Sequence, residues 1–136
     1  MAAQPGESAA ALKKSGTVTM TAAGGVLFFS PDHANQRWEV AAVVVATDQA
    51  ATATTIPVAT LAINSPTLGL ISQGNQRGAT YSGNQDTFGG LIDVGPCDEL
   101  DVHFTPAPGQ SGTPLVGVKA SAVITGIKYN RGMVRA

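Results

Sequence analysis

"RWEVAAVVVAT", residues 37–47, is the stretch on which the fold turns. Successive strand side chains point to opposite faces, so Trp38, Val40, Ala42, Val44 and Ala46 fall on one side. Arg37, Glu39, Ala41, Val43, Val45 and Thr47 fall on the other, which turns apolar as the strand proceeds. A strand apolar on both faces is covered on both faces, and this one is expected at the centre of a sheet. Trp38 heads it and is expected in the core.

Shorter apolar runs lie on either side, each closed by turn residues. "TVTMT" (17–21) alternates, and "GGVLFFS" (24–30) stops at Pro31. "IPVATLAIN" (56–64) carries its proline at the start, where a strand tolerates one. "LGLIS" (68–72), "FGGLIDV" (88–94) and "ELDVHF" (99–104) follow, and "LVGVKASAVITGIKY" (115–129) is a long alternating strand. The Gly-, Asn- and Gln-rich residues 73–87 read as a long loop. About eight strands, no long helix and no fixed repeat predict an all-β, jelly-roll-like β-sandwich. The expected organisation is an extended N-terminal arm over 1–16, a sandwich domain over 17–129 and a short C-terminal tail over 130–136.

Composition agrees. The 136 residues fit one domain, with aromatics at 5% and charged residues at 12%. One cysteine, Cys97, excludes an internal disulfide framework and a multi-cysteine zinc site. No stretch has the roughly 20 apolar residues of a membrane-spanning helix, and residues 1–15 do not have the order of a signal peptide. A protein made in a cytoplasm, with no membrane partner, is expected.

Charge is unevenly placed. Residues 17–127 hold Arg37, Arg77 and Lys119 against every acid except Glu7, whereas Lys13, Lys14, Lys128, Arg131 and Arg135 sit near the ends. Basic ends on an acidic body suggest segments that dock on something negative. Lys13, Lys14, Arg131 and Arg135 are therefore the candidate interface residues. The acidic, aromatic-poor body argues against nucleic-acid binding.

"CDELDVHF" (97–104) packs a thiol, three acids and a histidine into eight residues. Alternation puts Leu100, Val102 and Phe104 on one face and Glu99, Asp101 and His103 on the other, which is expected to face solvent. Asp98 lies in a turn, where an acid can bond local amides. Asp101 and His103 could be two ligands of a metal, but a site needs three or four, and His33 or Asp86 would have to come from distant loops. No nucleophile elbow or phosphate-binding glycine spacing occurs. No catalytic residue, cofactor or metal is expected. In the loop, Gln76, Arg77, Tyr81, Asn84 and Asp86 combine amides with an aromatic, the side chains a glycan surface would use.

Together, "RWEVAAVVVATDQAATATTIPVATLAI", "ATYSGNQDTF" and "VGPCDELDVHFTPAPGQSGTPLVGVKASAVITG" resemble small β-sandwich virion proteins of tailed phages of actinobacteria. These are minor capsid, head decoration or minor tail proteins. The resemblance spans roughly residues 37–126, and Cys97 departs from the small or polar residue usual in such turns. It implies a non-enzymatic structural protein of the bacteriophage virion, a capsid decoration or minor capsid protein that reinforces the head exterior. The implied partners are the major capsid protein and further copies of the chain, as a trimer on a local three-fold. A tail or fibre-tip component, or a glycan-binding module, is the alternative.

Overall fold

The computed structural model describes residues 3, 5–50, 52–65, 69–79 and 85–132, with the backbone alone over 70–77. Among these residues nine strands run in the order β1 (Glu7–Thr19), β2 (Gly25–Phe29), β3 (Gln36–Thr47), β4 (Pro57–Ser65), β5 (Gly69–Gly78), β6 (Asp86–Phe88), β7 (Ile92–Val94), β8 (Glu99–Pro106) and β9 (Lys119–Arg131). A 3-10 turn, Thr113–Leu115, precedes β9. The strands form two antiparallel sheets packed as a β-sandwich. One has the order β1-β9-β3, with the short β6 and β7 both paired to the far side of β3. The other has the order β2-β8-β4-β5.

Trp38 and Val40 are buried, but the phase then changes: Val43 and Val45 are buried, while Ala42 and Val44 are only partly so. The cause is a β-bulge. Val40 pairs with Gly126 and Ala42 with Thr125, so Ala41 has no partner on β9. One extra residue reverses the alternation, and "VVVAT" enters the core through the face opposite to the one strict alternation assigns. The expectation that Trp38, Val40, Ala42, Val44 and Ala46 share a face fails after Val40 for this reason.

Both neighbours of β3 accommodate the bulge. On the β9 side Gly126 faces it, and a Cβ there would lie 2.0 Å from the Glu39 carbonyl oxygen and 2.9 Å from the Ala41 nitrogen. On the other side the chain breaks between β6 and β7. Phe88 pairs with Val43 and Ile92 with Val40, leaving Gly89, Gly90 and Leu91 opposite the irregular step. "FGGLIDV" is therefore two three-residue strands rather than one.

From the second sheet, the inner face presents Leu100, Val102 and Phe104 on β8, flanked by Ala59, Leu61 and Ile63 on β4 and by Leu27 and Phe29 on β2. These meet Leu12, Trp38, Val40, Val43, Val45, Ala122 and Ile124 of the first sheet. Polar bonds close the ends of the sandwich. Trp38 Nε1 donates to Gln36 Oε1 at 2.9 Å, and Gln36 Nε2 donates to Asn130 Oδ1 at 2.8 Å. Gln49 Nε2 donates to the Thr55 carbonyl at 2.7 Å and ties down the β3–β4 connection. Buried side chains with such partners avoid the cost of an unmade hydrogen bond.

At the N-terminus, residues 1–16 are not an arm along their whole length. From Glu7 onward they belong to β1, whose thirteen residues pair with β9 from Glu7–Arg131 to Thr19–Lys119. Leu12 is buried in the core, and Ser8–Ala11 are exposed. Small residues without alternation hide a strand from a period search, because an exposed edge needs no apolar face. At the other end β9 runs on to Arg131, so the sheet takes up the first two residues of the expected tail. β5 likewise reaches Gly78, and half of the expected 73–87 loop is sheet.

Gly126→Ala should destabilise the protein by about 2 kcal/mol or more, because backbone stands where the methyl would go. Gly89→Ala, with nothing within 4 Å of the added carbon, should change stability by less than about 0.5 kcal/mol. Urea denaturation of the two variants checks the pair; equal effects would contradict the role given to the bulge.

Candidate functional site

Three groups of residues are candidates: the Cys97–Phe104 segment, the basic residues near the ends and the 73–87 region. The first begins with a tight turn. Asp98 N donates to the Gly95 carbonyl at 3.1 Å, with Pro96 and Cys97 as the central residues. Cys97 has φ 67°, the left-handed value that the third position of such a turn requires and that glycine adopts most readily. Its thiol is exposed. The turn directs β8 into the sheet, so Leu100, Val102 and Phe104 face inward, as alternation requires.

The opposite face of β8 is less solvated than expected. Asp101 is 4% exposed, between Phe28 of β2 and Ala62 of β4. Asn64 Nδ2 donates to its Oδ2, and His103 Nε2 lies 4.0 Å from the same oxygen. Asp101 Oδ1 is buried and has no hydrogen-bond partner among the described residues. Glu99 shares this face. Hydrogen bonding with Asp101, burial and repulsion from the same carboxylate push its carboxyl up to about 7. A shallow recess of about 370 Å³ adjoins it, lined by Ser30, Asn64, Ser65, Cys97, Asp98 and Glu99. Among the described residues no three of His, Cys, Asp and Glu gather as a metal ligand set.

A second polar cluster lies on the outer face of the five-stranded sheet. Arg37 Nε and Nη2 both donate to the Glu7 carboxylate at 2.9 Å, and the guanidinium sits 4.2 Å from the centre of the Tyr129 ring. Tyr129 Oη donates to Glu39 Oε1 at 2.7 Å. That hydrogen bond holds the Glu39 carboxyl below its ordinary range and raises the Tyr129 phenol. A bidentate arginine stacked on an aromatic joins β1 to β3 across β9. Neither residue spacing nor composition signals this cluster, since its members lie on three strands.

Of the candidate interface residues, Lys13 is exposed on β1. Lys14 is already engaged, its Nζ donating to Asp32 Oδ1 at 2.7 Å in a surface ion pair. The Asp32 carboxyl is held below its ordinary range by that bond. Arg131 is exposed at the end of β9, its backbone fixed by Asn35 through both the amide and the carbonyl. Arg135 lies outside the described residues. Of the candidate loop surface, Gln76 and Arg77 are on β5, in register with Thr60 and Ala59. Asp86 opens β6 and accepts from the Thr87 amide at 2.9 Å. Tyr81 and Asn84 lie outside the described residues.

No protein-family profile matches the chain, and no curated protein does. Among solved structures it is similar to the VP2 subviral particle of infectious bursal disease virus, at 12% identity and a TM-score of 0.41, covering 94% of this chain and 38% of that one. It is also similar to the T13 particle of the same virus, at 10% identity and a TM-score of 0.42, covering 93% of this chain and 36% of that one. The chain thus spans less than two fifths of the length of these neighbours.

The left-handed Cys97 predicts a directional pair of variants. Cys97→Gly should raise stability by about 0.5–1 kcal/mol, the relief of a side chain at positive φ less the extra freedom glycine has when unfolded. Cys97→Val should lower it by about 1 kcal/mol or more. Denaturant midpoints for the two variants decide the matter.

Proposed function

We propose that the protein is a non-enzymatic structural subunit of a phage virion, a capsid decoration or minor capsid protein on the head exterior. β1 is the observation that carries this reading. It is a thirteen-residue strand at the outer edge of its sheet, with exposed Ser8–Ala11 and an exposed Lys13. A long edge strand of mostly small side chains offers backbone donors and acceptors along its free side, the feature that protein–protein assembly uses and that lone domains tend to blunt. The outer face behind it is built from small residues such as Ala42, Val44, Ala46 and Val123, which suit close packing against a shell or a further copy. The sequence resemblance to phage virion proteins points the same way.

In this reading Lys13 and Arg131 are the contacts to an acidic shell surface, and many copies supply avidity. The partners are the major capsid protein and other copies of the chain, as a trimer at a three-fold position. Lys14 contributes less, because its ammonium already holds Asp32. Removing residues 1–14 would not be a clean test, because it takes away more than half of β1 and the buried Leu12.

Charge reversal at two exposed positions is cleaner. Lys13→Glu with Arg131→Glu should leave the circular dichroism of the β-fold unchanged and weaken co-sedimentation with native particles at least about tenfold. The same loss should follow for the unmodified protein at high salt. Undiminished co-sedimentation of the double variant would remove these contacts from the reading. Binding to host-surface glycans but not to heads would move the protein to the tail or fibre tip.

A further inference from the structure

We propose that Glu99 and Asp101 form a proton-operated latch in which one proton, shared by two carboxyl groups on the same face of β8, holds the end of the β4–β8 pair and the Gly95–Asp98 turn in place. The geometry makes the two partners unequal. Asp101 sits inside the sheet, its neighbours Phe28 and Ala62 pairing on either side, and Asn64 holds one of its oxygens. It cannot withdraw without breaking three strands apart. Glu99 is the first residue of β8, next to the tight turn, and pairs only with Asn64 near the end of β4. When both carboxyls are charged, the turn is the part that can yield. Its movement would widen the recess formed by Ser30, Asn64, Ser65, Cys97, Asp98 and Glu99.

The described neighbouring strands β2 and β4 offer no lysine or arginine to replace the proton. β2 and β4 carry no ionisable residue among Gly25–Phe29 and Pro57–Ser65. On β8 the charged groups facing the pair are Asp101 itself and His103, whose Nε2 is 4.0 Å from Asp101 Oδ2. The turn adds Asp98 and the Cys97 thiol, neither of them positive. Asn64 already donates to Asp101 Oδ2, so the proton is assigned to Glu99.

The direction with pH follows. The Glu99 carboxyl is raised in the folded protein from 4.5 to about 7. The folded state therefore holds a proton that the unfolded chain releases across that window. Stability from the latch is intact below about 4.5, declines as pH rises toward about 7 and is gone above it. His103, 4.0 Å from Asp101 Oδ2, is separated by a variant of its own.

The carboxyl carbon of Glu99 in the full chain, followed by NMR, should titrate near 7, with the Cys97 and Asp98 amides moving in the same step. The thermal midpoint should fall by a few degrees between about pH 5 and about pH 8. Glu99→Gln, which keeps a neutral partner for Asp101, should remove most of that fall, and His103→Gln should keep it. The latch is overturned if Glu99 titrates in the ordinary carboxylate range, or if the fall persists in Glu99→Gln or vanishes in His103→Gln. The titration on unmodified protein stands even if a variant folds poorly.

Discussion

One extra residue on β3 sets the arrangement of the first sheet. Ala41 has no partner on β9, and the bulge it makes reverses which side chains face the core between Val40 and Val43. Without that reversal Trp38 and Val40 would share a face with Ala42 and Val44, and Val43 and Val45 would point away from the second sheet. Gly126 on one side and the β6–β7 break on the other are the accommodation of that single step. The second sheet has no comparable irregularity on β8. There Leu100, Val102 and Phe104 follow simple alternation into the core.

What could be read from the sequence follows from this difference. The fold class and the positions of β2, β3, β4 and β8 were legible because apolar side chains mark them at period two. Of β1 only the end was, in "TVTMT"; its earlier stretch of alanine, serine and lysine shows no periodicity, and its partner β9 lies at the far end of the sequence. The bulge was invisible for the reason that makes it effective: "VAAVVVA" is apolar at every position, so either phase looks equally good. The split of "FGGLIDV" was signalled by its two glycines, which an intact strand would rarely place side by side.

Of the candidate site, the sequence showed its members but not their environment. The alternation of Glu99, Asp101 and His103 was legible, and solvent was the natural expectation for such a face. Phe28 and Ala62 lie beside Asp101 instead, because β8 is an interior strand of its sheet rather than an edge. That placement takes the Asp101 carboxylate out of solvent. The Arg37–Glu7 and Tyr129–Glu39 bonds carried no signal at all, since they need β1, β9 and β3 to be adjacent in space. Of the basic residues expected to reach outward, Lys14 is held in a surface ion pair with Asp32. Lys13 and Arg131 are the described basic candidates left exposed with no side-chain partner.

The proposed structural role rests on a long edge strand and a face of small side chains turned outward. The most direct measurement is the copy number of this protein in gradient-purified virus particles, by quantitative mass spectrometry against the major shell protein. Copies in the hundreds per particle are the result this account predicts. Complete absence from particles would contradict it.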